Sequence, residues 1–383
     1  MLRVTPAVMA RPSAPICGAG FNIPQMEPCF GEEEAEAVAA YMRSGGWITE
    51  HRKTQEFEQA IADYTGARHC VVTNNGTVSL TLAALAAGIK PGDEVIVPNY
   101  TMIATPNSLL MIGAQPVLVD VDGPTLCLDI GKVAMAITPR TKAIILVAAN
   151  GRFPPGGIGP FVELARANGL VLIEDAAQAL GSRFPDGRHV GTAGLAGTFS
   201  FSTPKIVSTG QGGAVVTDDD DLARRLRRLK DFGRASGGND LHDTIGYNFK
   251  FTDLQAVVGI EQMKKLDRRV RRKKEIWRAY ARGLQGVRGI RLFAHDPELT
   301  TPWFIDAVCE HRELLQAHMR QLGIGTRPMY PPINQQPAFQ YAGTHPVSDD
   351  IGLRGLWLPS AAQLSDSEVA SITGAIREFY KRR

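Results

Sequence analysis

The chain has little cysteine, no long apolar run and no excess charge of either sign. Its 383 residues include five cysteines, an odd number at wide spacing with no CxxC pair, which excludes a disulfide framework and a cysteine-rich zinc site. No run approaches the roughly 18 apolar residues that indicate a transmembrane helix. Lys and Arg number 42 against 39 Asp and Glu, so the charge favours neither a nucleic acid nor an anionic membrane as partner.

The scarcity of cysteine and the N-terminal residues bear on the location of the protein. A few cysteines without a disulfide pattern are typical of a reducing compartment, and we expect a cytoplasmic protein. Residues 1–20 carry two Arg, no acid and no sustained apolar segment, so they lack the pattern of a secretory signal. We interpret them as a flexible N-terminal extension.

Short apolar runs alternate with amphipathic stretches over the first half of the chain. The runs are rich in β-branched residues, which is typical of strands that are buried on both faces. The alternation indicates an α/β domain whose central sheet is mostly parallel and flanked by helices. We predict helices at Glu32–Ser44 and Thr77–Ala87, and strands at Glu94–Val97, Pro116–Val119, Ala143–Val147, Leu170–Ile173, Thr198–Ser202 and Gly213–Val216.

The pattern changes near residue 284. Thr252 followed by Gln255 is a capping-box pattern that predicts one long helix to about Gly283. We therefore predict a large domain over residues 21–283 and a smaller α+β domain over residues 284–383, with residues 21–60 packed against the smaller one. Later elements are predicted at Pro302–Val308, Glu313–Leu322, Gly325–Pro328 and, after a cap formed by Ser365 and Glu368, up to about Tyr380.

Two basic stretches, Arg224–Lys230 and Asp267–Lys274, have their cations at helical spacing. The net charge of the whole chain is +3, which is too small to indicate a nucleic-acid-binding protein. We interpret both stretches as mostly solvated helix faces.

Two segments combine polar groups with a predicted element boundary. Asn74-Asn75-Gly76-Thr77 precedes a helix, whose unpaired N–H groups and positive dipole suit an anion; an ordinary turn and cap is the alternative. Glu174-Asp175-Ala176-Ala177-Gln178 follows a strand, at the sheet edge where α/β proteins bind ligands. A carboxylate there can keep a pyridinium nitrogen protonated, and Gln178 could reach a neighbouring phenolic oxygen, whereas a capping Asp is the alternative.

Two later segments add a lysine and an amide. Ser200 lies five residues before Lys205, and Gly210-Gln211-Gly212-Gly213 follows. A lysine in such a site can bond to a carbonyl carbon and later shuttle protons, and the glycines leave space for a bulky cofactor. Taken alone, a lysine in a glycine-rich loop is more often a surface residue. Asn248, between aromatic residues, is uninformative by itself.

The order of these four segments resembles the fold-type I pyridoxal-phosphate enzymes, and more narrowly the nucleotide-sugar aminotransferases of the DegT/StrS type. An Asp-x-x-Gln motif about 30 residues before the lysine of Ser-x₄-Lys, followed by GxGG, is a specific pattern. The resemblance extends from about Ile23 to the C-terminus. It implies a large domain that binds pyridoxal 5'-phosphate, a smaller C-terminal domain, and a homodimer with its sites at the subunit interface.

The resemblance also assigns roles to residues. Lys205 would bind the cofactor covalently, Asp175 would pair with the pyridine nitrogen, and Gln178 would contact the ring oxygen. Met102 falls where relatives often carry an aromatic side chain stacked on the ring, and a thioether can pack there more loosely. The phosphate would be bound by Gly76, Thr77, Ser200 and, from the second subunit, Asn248.

Further segments of the sequence bear on the identity of the substrate. Gly46–Glu50, Gly246–Thr252 and Thr326–Tyr330 are similar to the branch that converts GDP-4-keto-6-deoxymannose into GDP-perosamine with L-glutamate as amino donor. Arg327 would bind an anionic group, either the glutamate carboxylate or a nucleotide phosphate, with a structural salt bridge as the alternative. Other readings are a different keto-sugar nucleotide, a cyclitol ketone, or a catalytically silent regulatory protein that binds the cofactor.

The chain also departs from the family pattern. Relatives commonly carry a His-containing stretch where this chain has Val147–Pro154. One branch has His in place of the lysine and performs dehydration, so Lys205 favours transamination.

Overall fold

A computed structural model describes residues 22–235, 240–339 and 341–383. The predicted flexible extension, residues 1–20, lies outside the described residues. Over the part that the structure does describe, no helix is both long enough and apolar enough to cross a membrane. The cytoplasmic location stays a prediction.

A seven-stranded sheet forms the centre of the larger unit. Its order is β1-β7-β6-β5-β4-β2-β3, for strands at His69–Thr73 (β1), Glu94–Pro98 (β2), Gln115–Val119 (β3), Thr141–Val147 (β4), Val171–Asp175 (β5), Ala196–Ser200 (β6) and Gly213–Thr217 (β7). The five strands from β6 to β3 are parallel, and β7 is antiparallel to both of its neighbours. The prediction of a mostly parallel sheet is therefore confirmed. The polar ends of β5 and β6, at Asp175 and Ser200, meet at one edge.

The strands of this sheet are almost entirely buried because helices pack against both faces. The helices of the larger unit are Glu32–Arg43 (α1), Arg52–Thr65 (α2), Gly76–Ala86 (α3), Ala104–Leu110 (α4), Ile130–Ala136 (α5), Gly159–Ala167 (α6), Asp220–Lys230 (α7), Asp253–Lys264 (α8) and Leu266–Gly283 (α9). Helix α3 follows β1 directly, so its N-terminus lies beside the sheet edge where β6 ends.

The smaller unit contains a four-stranded antiparallel sheet in the order β10-β11-β9-β8. Its strands are Ile290–Leu292 (β8), Ile305–Cys309 (β9), Arg327–Pro328 (β10) and Gly355–Leu358 (β11), and its helices are Arg312–Gln321 (α10), Pro346–Arg354 (α11) and Asp366–Lys381 (α12). The capping box of Ser365 and Glu368 at the start of α12 is confirmed. The strand predicted over Pro302–Val308 begins only at Ile305, which leaves Trp303 and Phe304 in the preceding segment.

The single long helix predicted from Thr252 to Gly283 is wrong, since α8 and α9 are separated at Lys265. The break carries the Lys265 ammonium onto α1, where its Nζ lies 2.7 Å from an oxygen of Glu34 and 3.0 Å from one of Glu33. The break therefore coincides with a tertiary ion pair.

The interpretation of the basic stretches as mostly solvated faces is also partly wrong. Lys230, Arg269 and Lys273 are buried. Lys230 forms an ion pair with Glu50 at 2.9 Å, whereas Arg269 donates to the carbonyl groups of Ile206 and Cys29. Burial with hydrogen-bonded partners explains how the hidden cations are tolerated.

The two units share α9. Ile276 and Tyr280 of this helix belong to the core of the smaller unit, although both precede residue 284. Near the N-terminus, Ile23 pairs with Ile324 and the carbonyl of Gln25 accepts the N–H of Ser360. The division at residue 284 stays a prediction.

Candidate active site

The carboxylate of Asp175 lies at the C-terminal end of β5 and is 6% exposed. It accepts the hydroxyl of Thr105 at 2.9 Å and the N–H of Ala177 at 3.2 Å. Among the described residues, no lysine or arginine nitrogen lies within 4.0 Å of it. Burial raises the pKa of Asp175, against the two hydrogen bonds and the more distant charge of Lys205. A buried carboxylate without a paired cation fits a ligand that brings a positive charge, such as a protonated ring nitrogen.

Lys205 lies in the loop after β6. Its Nζ is 4.1 Å from the centre of the Trp303 ring, and the indole N–H donates to the carbonyl of Pro204 at 2.8 Å. Burial lowers the pKa of Lys205 to about 8, while Asp175 acts in the opposite direction. About a tenth of this amine is therefore neutral at pH 7 and about half at pH 8, and only the neutral form is a nucleophile for a carbonyl carbon.

One cavity brings three of the predicted residues together. Gln178, Ser200 and Lys205 line it, with Trp303 on the side of the smaller unit. The side-chain oxygen of Gln178 accepts the N–H of Asn150 at 2.6 Å. Since the oxygen is occupied, the NH₂ group is the end of Gln178 that is left for a ligand.

The start of α3 forms a cradle for an anion next to this cavity. Asn75 caps the helix and accepts the N–H of Val78 at 2.9 Å, whereas the N–H groups of Gly76 and Thr77 are too early in the helix to have an internal partner. A Cβ on Gly76 would lie 2.8 Å from the Cβ of Ser200. Glycine therefore allows the helix start and the Ser200 hydroxyl to share one small space.

Arg327 is exposed on β10, with its guanidinium 5.4 Å from the centre of the Trp357 ring. Trp357 lines a cavity together with Gln178 and Tyr330. Arg327 does not line this cavity itself and is linked to it through Trp357. No carboxylate lies within 4.0 Å of this guanidinium in the part of the chain that is described. The salt-bridge alternative therefore has no partner there.

Met102 and Asn248 are both exposed at the surface. Met102 is exposed in the segment between β2 and α4, three residues before Thr105. Asn248 is exposed, and the next residue, Phe249, accepts the N–H of Asn74 at 3.3 Å. Neither side chain lines the cavity that contains Lys205.

Sequence reasoning missed three residues that the structure places around the site. Thr105 hydrogen-bonds Asp175, Trp303 stacks on Lys205, and Asn150 holds Gln178. They come from three separate segments. Only Asn150 lies in a stretch that the sequence analysis singled out, Val147–Pro154, which differs from the family pattern.

Comparison with known proteins identifies the family of the chain. The model of the DegT/DnrJ/EryC1/StrS aminotransferase family matches residues 28–377, which is most of the chain. The chain belongs to this family. It is therefore an aminotransferase, and the family implies pyridoxal phosphate as cofactor.

The relatives include enzymes for sugar nucleotides. The chain is 36% identical over 362 residues to the GDP-perosamine synthase of Escherichia coli O157:H7, covering 94% of this chain and 98% of that protein. It is 36% identical over 341 residues to the GDP-perosamine synthase of Caulobacter vibrioides, covering 86% and 91%. Among solved structures, S. venezuelae DesV in complex with a ketimine intermediate is 34% identical with a TM-score of 0.87, covering 92% and 95%.

The pKa of Lys205 gives an expected pH dependence for this aminotransferase. Cofactor-free protein should take up pyridoxal phosphate at a rate that rises about tenfold per pH unit below pH 8 and levels off above it, because only the neutral amine reacts. Asp175 favours the charged amine, so in Asp175→Asn the midpoint should move to lower pH. Stopped-flow absorbance measures the rate, and a flat profile between pH 6.5 and 9.5 would contradict the assignment.

Proposed function

We propose that this aminotransferase moves the amino group of L-glutamate to the keto carbon of a nucleotide-linked keto-deoxy sugar, and that the sugar is GDP-4-keto-6-deoxymannose. The products are 2-oxoglutarate and GDP-perosamine, so an amine and a ketone are exchanged without a net oxidant. The observation that carries the proposal is the cavity that joins Gln178, Ser200 and Lys205, with the cation-free carboxylate of Asp175 nearby. The two GDP-perosamine synthases support the choice of sugar.

The described residues fit pyridoxal phosphate. Lys205 would hold it through its amine, Asp175 would pair with the ring nitrogen, and the NH₂ group of Gln178 would donate to the phenolic oxygen. The start of α3, at Gly76 and Thr77, and the Ser200 hydroxyl would bind the phosphate. Met102 would pack on the ring.

Bound pyridoxal phosphate supplies an electron sink for the carbon that loses or gains a proton, and carries the amino group between the two substrates. Asp175 would keep the ring nitrogen of the cofactor protonated, because a buried carboxylate stabilises a neighbouring cation. Lys205 would be the base that takes the α-proton of glutamate and later returns a proton to the sugar carbon. Its pKa of about 8 allows it to act in both directions near neutral pH.

Arg327 offers a test of the substrate side. Arg327→Lys keeps the charge but loses the bidentate geometry, so we expect the KM of one substrate to rise about 10–100-fold with kcat little changed. Measuring KM separately for glutamate and the sugar nucleotide shows which anion it binds. Arg320→Lys, an exposed change on α10, is the control, and two unchanged KM values would remove Arg327 from the site.

We also propose a homodimer in which Asn248 completes the partner's phosphate site. The Asn248 segment carries exposed apolar side chains, with Ile245 81% exposed, and Trp47 is 66% exposed. Exposed apolar side chains of this size are typical of a subunit interface. Asn248 itself is exposed and lies outside the cavity of its own Lys205.

Subunit complementation tests this arrangement. Lys205→Ala lacks the reactive amine, and Asn248→Asp sets a negative charge against the phosphate, so each variant should be nearly inactive. After exchange of equal amounts, half of the dimers are mixed and each has one intact site, so we expect about a quarter of the wild-type rate. If Asn248 serves its own subunit, the mixture stays inactive.

The reaction itself is tested with purified protein, L-glutamate and GDP-4-keto-6-deoxymannose, with both products followed by mass spectrometry. Equal amounts of 2-oxoglutarate and GDP-perosamine are expected. Formation of 2-oxoglutarate without the amino sugar would contradict the choice of sugar and leave the donor in place. Absence of 2-oxoglutarate would contradict the choice of glutamate.

A further inference from the structure

The turn after β4 contains a buried residue with unusual backbone geometry. Asn150 has φ +54° and ψ +29°, in the left-handed region that asparagine and glycine tolerate best. It is 4% exposed. It lies in Val147–Pro154, the stretch in which the sequence departs from the family pattern.

The polar groups of Asn150 bond residues of both units, and its carbonyl accepts the N–H of Trp303 at 3.4 Å. Its N–H donates to the side-chain oxygen of Gln178 at 2.6 Å. Its carboxamide pairs with the backbone of Phe304, donating to the carbonyl at 2.7 Å and accepting the N–H at 2.6 Å. One residue therefore joins Gln178 in the larger unit to the segment before β9 in the smaller unit.

The bond to Gln178 decides which way its amide faces. A backbone N–H can bond the oxygen of an amide but not its NH₂ group, so chemistry fixes the orientation. The left-handed backbone directs that N–H, and the paired bonds to Phe304 hold the turn in place. Loss of the left-handed backbone conformation or of the bonds to Phe304 would free the Gln178 amide to rotate.

The same segment of the smaller unit reaches Lys205. Trp303, the neighbour of Phe304, has its ring 4.1 Å from the Lys205 nitrogen and donates its indole N–H to Pro204. Asn150 is thus tied to a segment that contacts the reactive lysine, while its own N–H controls Gln178.

We propose that Asn150 is a positioning residue for the transamination: it holds the Gln178 amide so that the NH₂ group donates to the phenolic oxygen of the cofactor. This inference rests on the proposed function, since the contact of Gln178 with the cofactor is part of that proposal. Asn150 does not contact the cofactor itself and acts through Gln178.

The test is the pH dependence of the visible absorption of the lysine-bound cofactor in the holoenzyme. A hydrogen bond to the phenolic oxygen stabilises its negative charge, so loss of the bond should move the spectral midpoint to higher pH. We expect about one pH unit for Gln178→Ala and a shift in the same direction for Asn150→Ala. In the double variant the shift should not exceed that of Gln178→Ala, because both changes remove one interaction.

Two further variants separate positioning from simple destabilisation. Asn150→Gly keeps the left-handed backbone and loses only the bonds to Phe304, so it should have a higher melting temperature than Asn150→Ala and shift the midpoint less. Asn99→Ala is the matched control: Asn99 is buried and exchanges hydrogen bonds of 2.9 and 3.0 Å with Asn334 in the other unit rather than with Gln178. It should lower the melting temperature and leave the midpoint unchanged.

The outcomes are distinct. If both Asn150 variants lower the melting temperature as Asn99→Ala does but leave the midpoint unchanged, the residue is structural and the inference is wrong. Additive shifts in the double variant, or no shift in Gln178→Ala, would overturn it as well. If the wild-type protein develops no visible band with pyridoxal phosphate, the proposed function fails instead.

Discussion

Lys205→Ala is expected to lower turnover by at least about 10³-fold without unfolding the protein. The change removes both the covalent link to the cofactor and the base that moves the proton, and general-base catalysis alone contributes about 10²–10⁴-fold. The ammonium group of Lys205 is enclosed, but the residue as a whole has intermediate exposure and no ion pair with a described carboxylate, so its loss should leave the melting temperature within a few degrees of the wild-type value. Steady-state rates and thermal unfolding of the same preparations measure the two effects.

Lys205→Arg is the matched variant. It can keep a cation over the Trp303 ring and near Asp175, but a guanidinium is never neutral in a protein and cannot attack a carbonyl carbon. We expect it to be as inactive as the alanine variant. Activity close to wild type in either variant would show that another residue carries the chemistry.

Asp175→Asn should have the second-largest effect, a loss of about 10²–10³-fold in kcat. A neutral amide has the shape of the carboxylate and can still accept the Thr105 hydroxyl, but it cannot pair with a protonated ring nitrogen. Removing one electrostatic stabiliser from an enclosed site costs about 3–4 kcal/mol of transition-state stabilisation. A deuterium isotope effect at the α-carbon of the donor should increase if proton removal becomes the slow step.

Glu174→Gln is the control because Glu174 is the adjacent residue of β5 and therefore points to the opposite face of the sheet. It is buried and accepts the N–H groups of Gly191, Ala193 and Gly194 at 2.6–2.8 Å. Its replacement should lower the free energy of unfolding and leave kcat within a few-fold of wild type. If both variants lose activity equally, or if Asp175→Asn turns over at the full rate, the proposed role of Asp175 is wrong.

The sequence was sufficient for those features that are encoded locally. Apolar β-branched runs predicted strands β2 to β7 to within three residues at each end, because strands buried on both faces have a continuous pattern. The motifs also named Gln178, Ser200 and Lys205, which the structure brings to one cavity. Ser200 ends β6, while Gln178 and Lys205 lie in the loops that follow β5 and β6, and the ends of parallel strands meet at one edge.

Tertiary contacts explain what the sequence did not predict. The break at Lys265 coincides with an ion pair with α1, more than 200 residues earlier in the chain, and helical periodicity carries no sign of it. Trp303 and Thr105 contact Lys205 and Asp175 from segments with no motif of their own. The buried state of Arg269 and Lys273 likewise depends on carbonyl groups supplied by distant loops.

Borohydride reduction followed by peptide mapping tests the central claim most directly, since it traps any bond between a lysine amine and the carbonyl carbon of pyridoxal phosphate. We expect one modified peptide, with the cofactor on Lys205. Lys273 is the informative comparison, because it lines another cavity together with Lys205 and burial lowers its pKa to about 7. A label on Lys273, or no labelled lysine in protein saturated with pyridoxal phosphate, would contradict the assignment of Lys205 as the reactive residue.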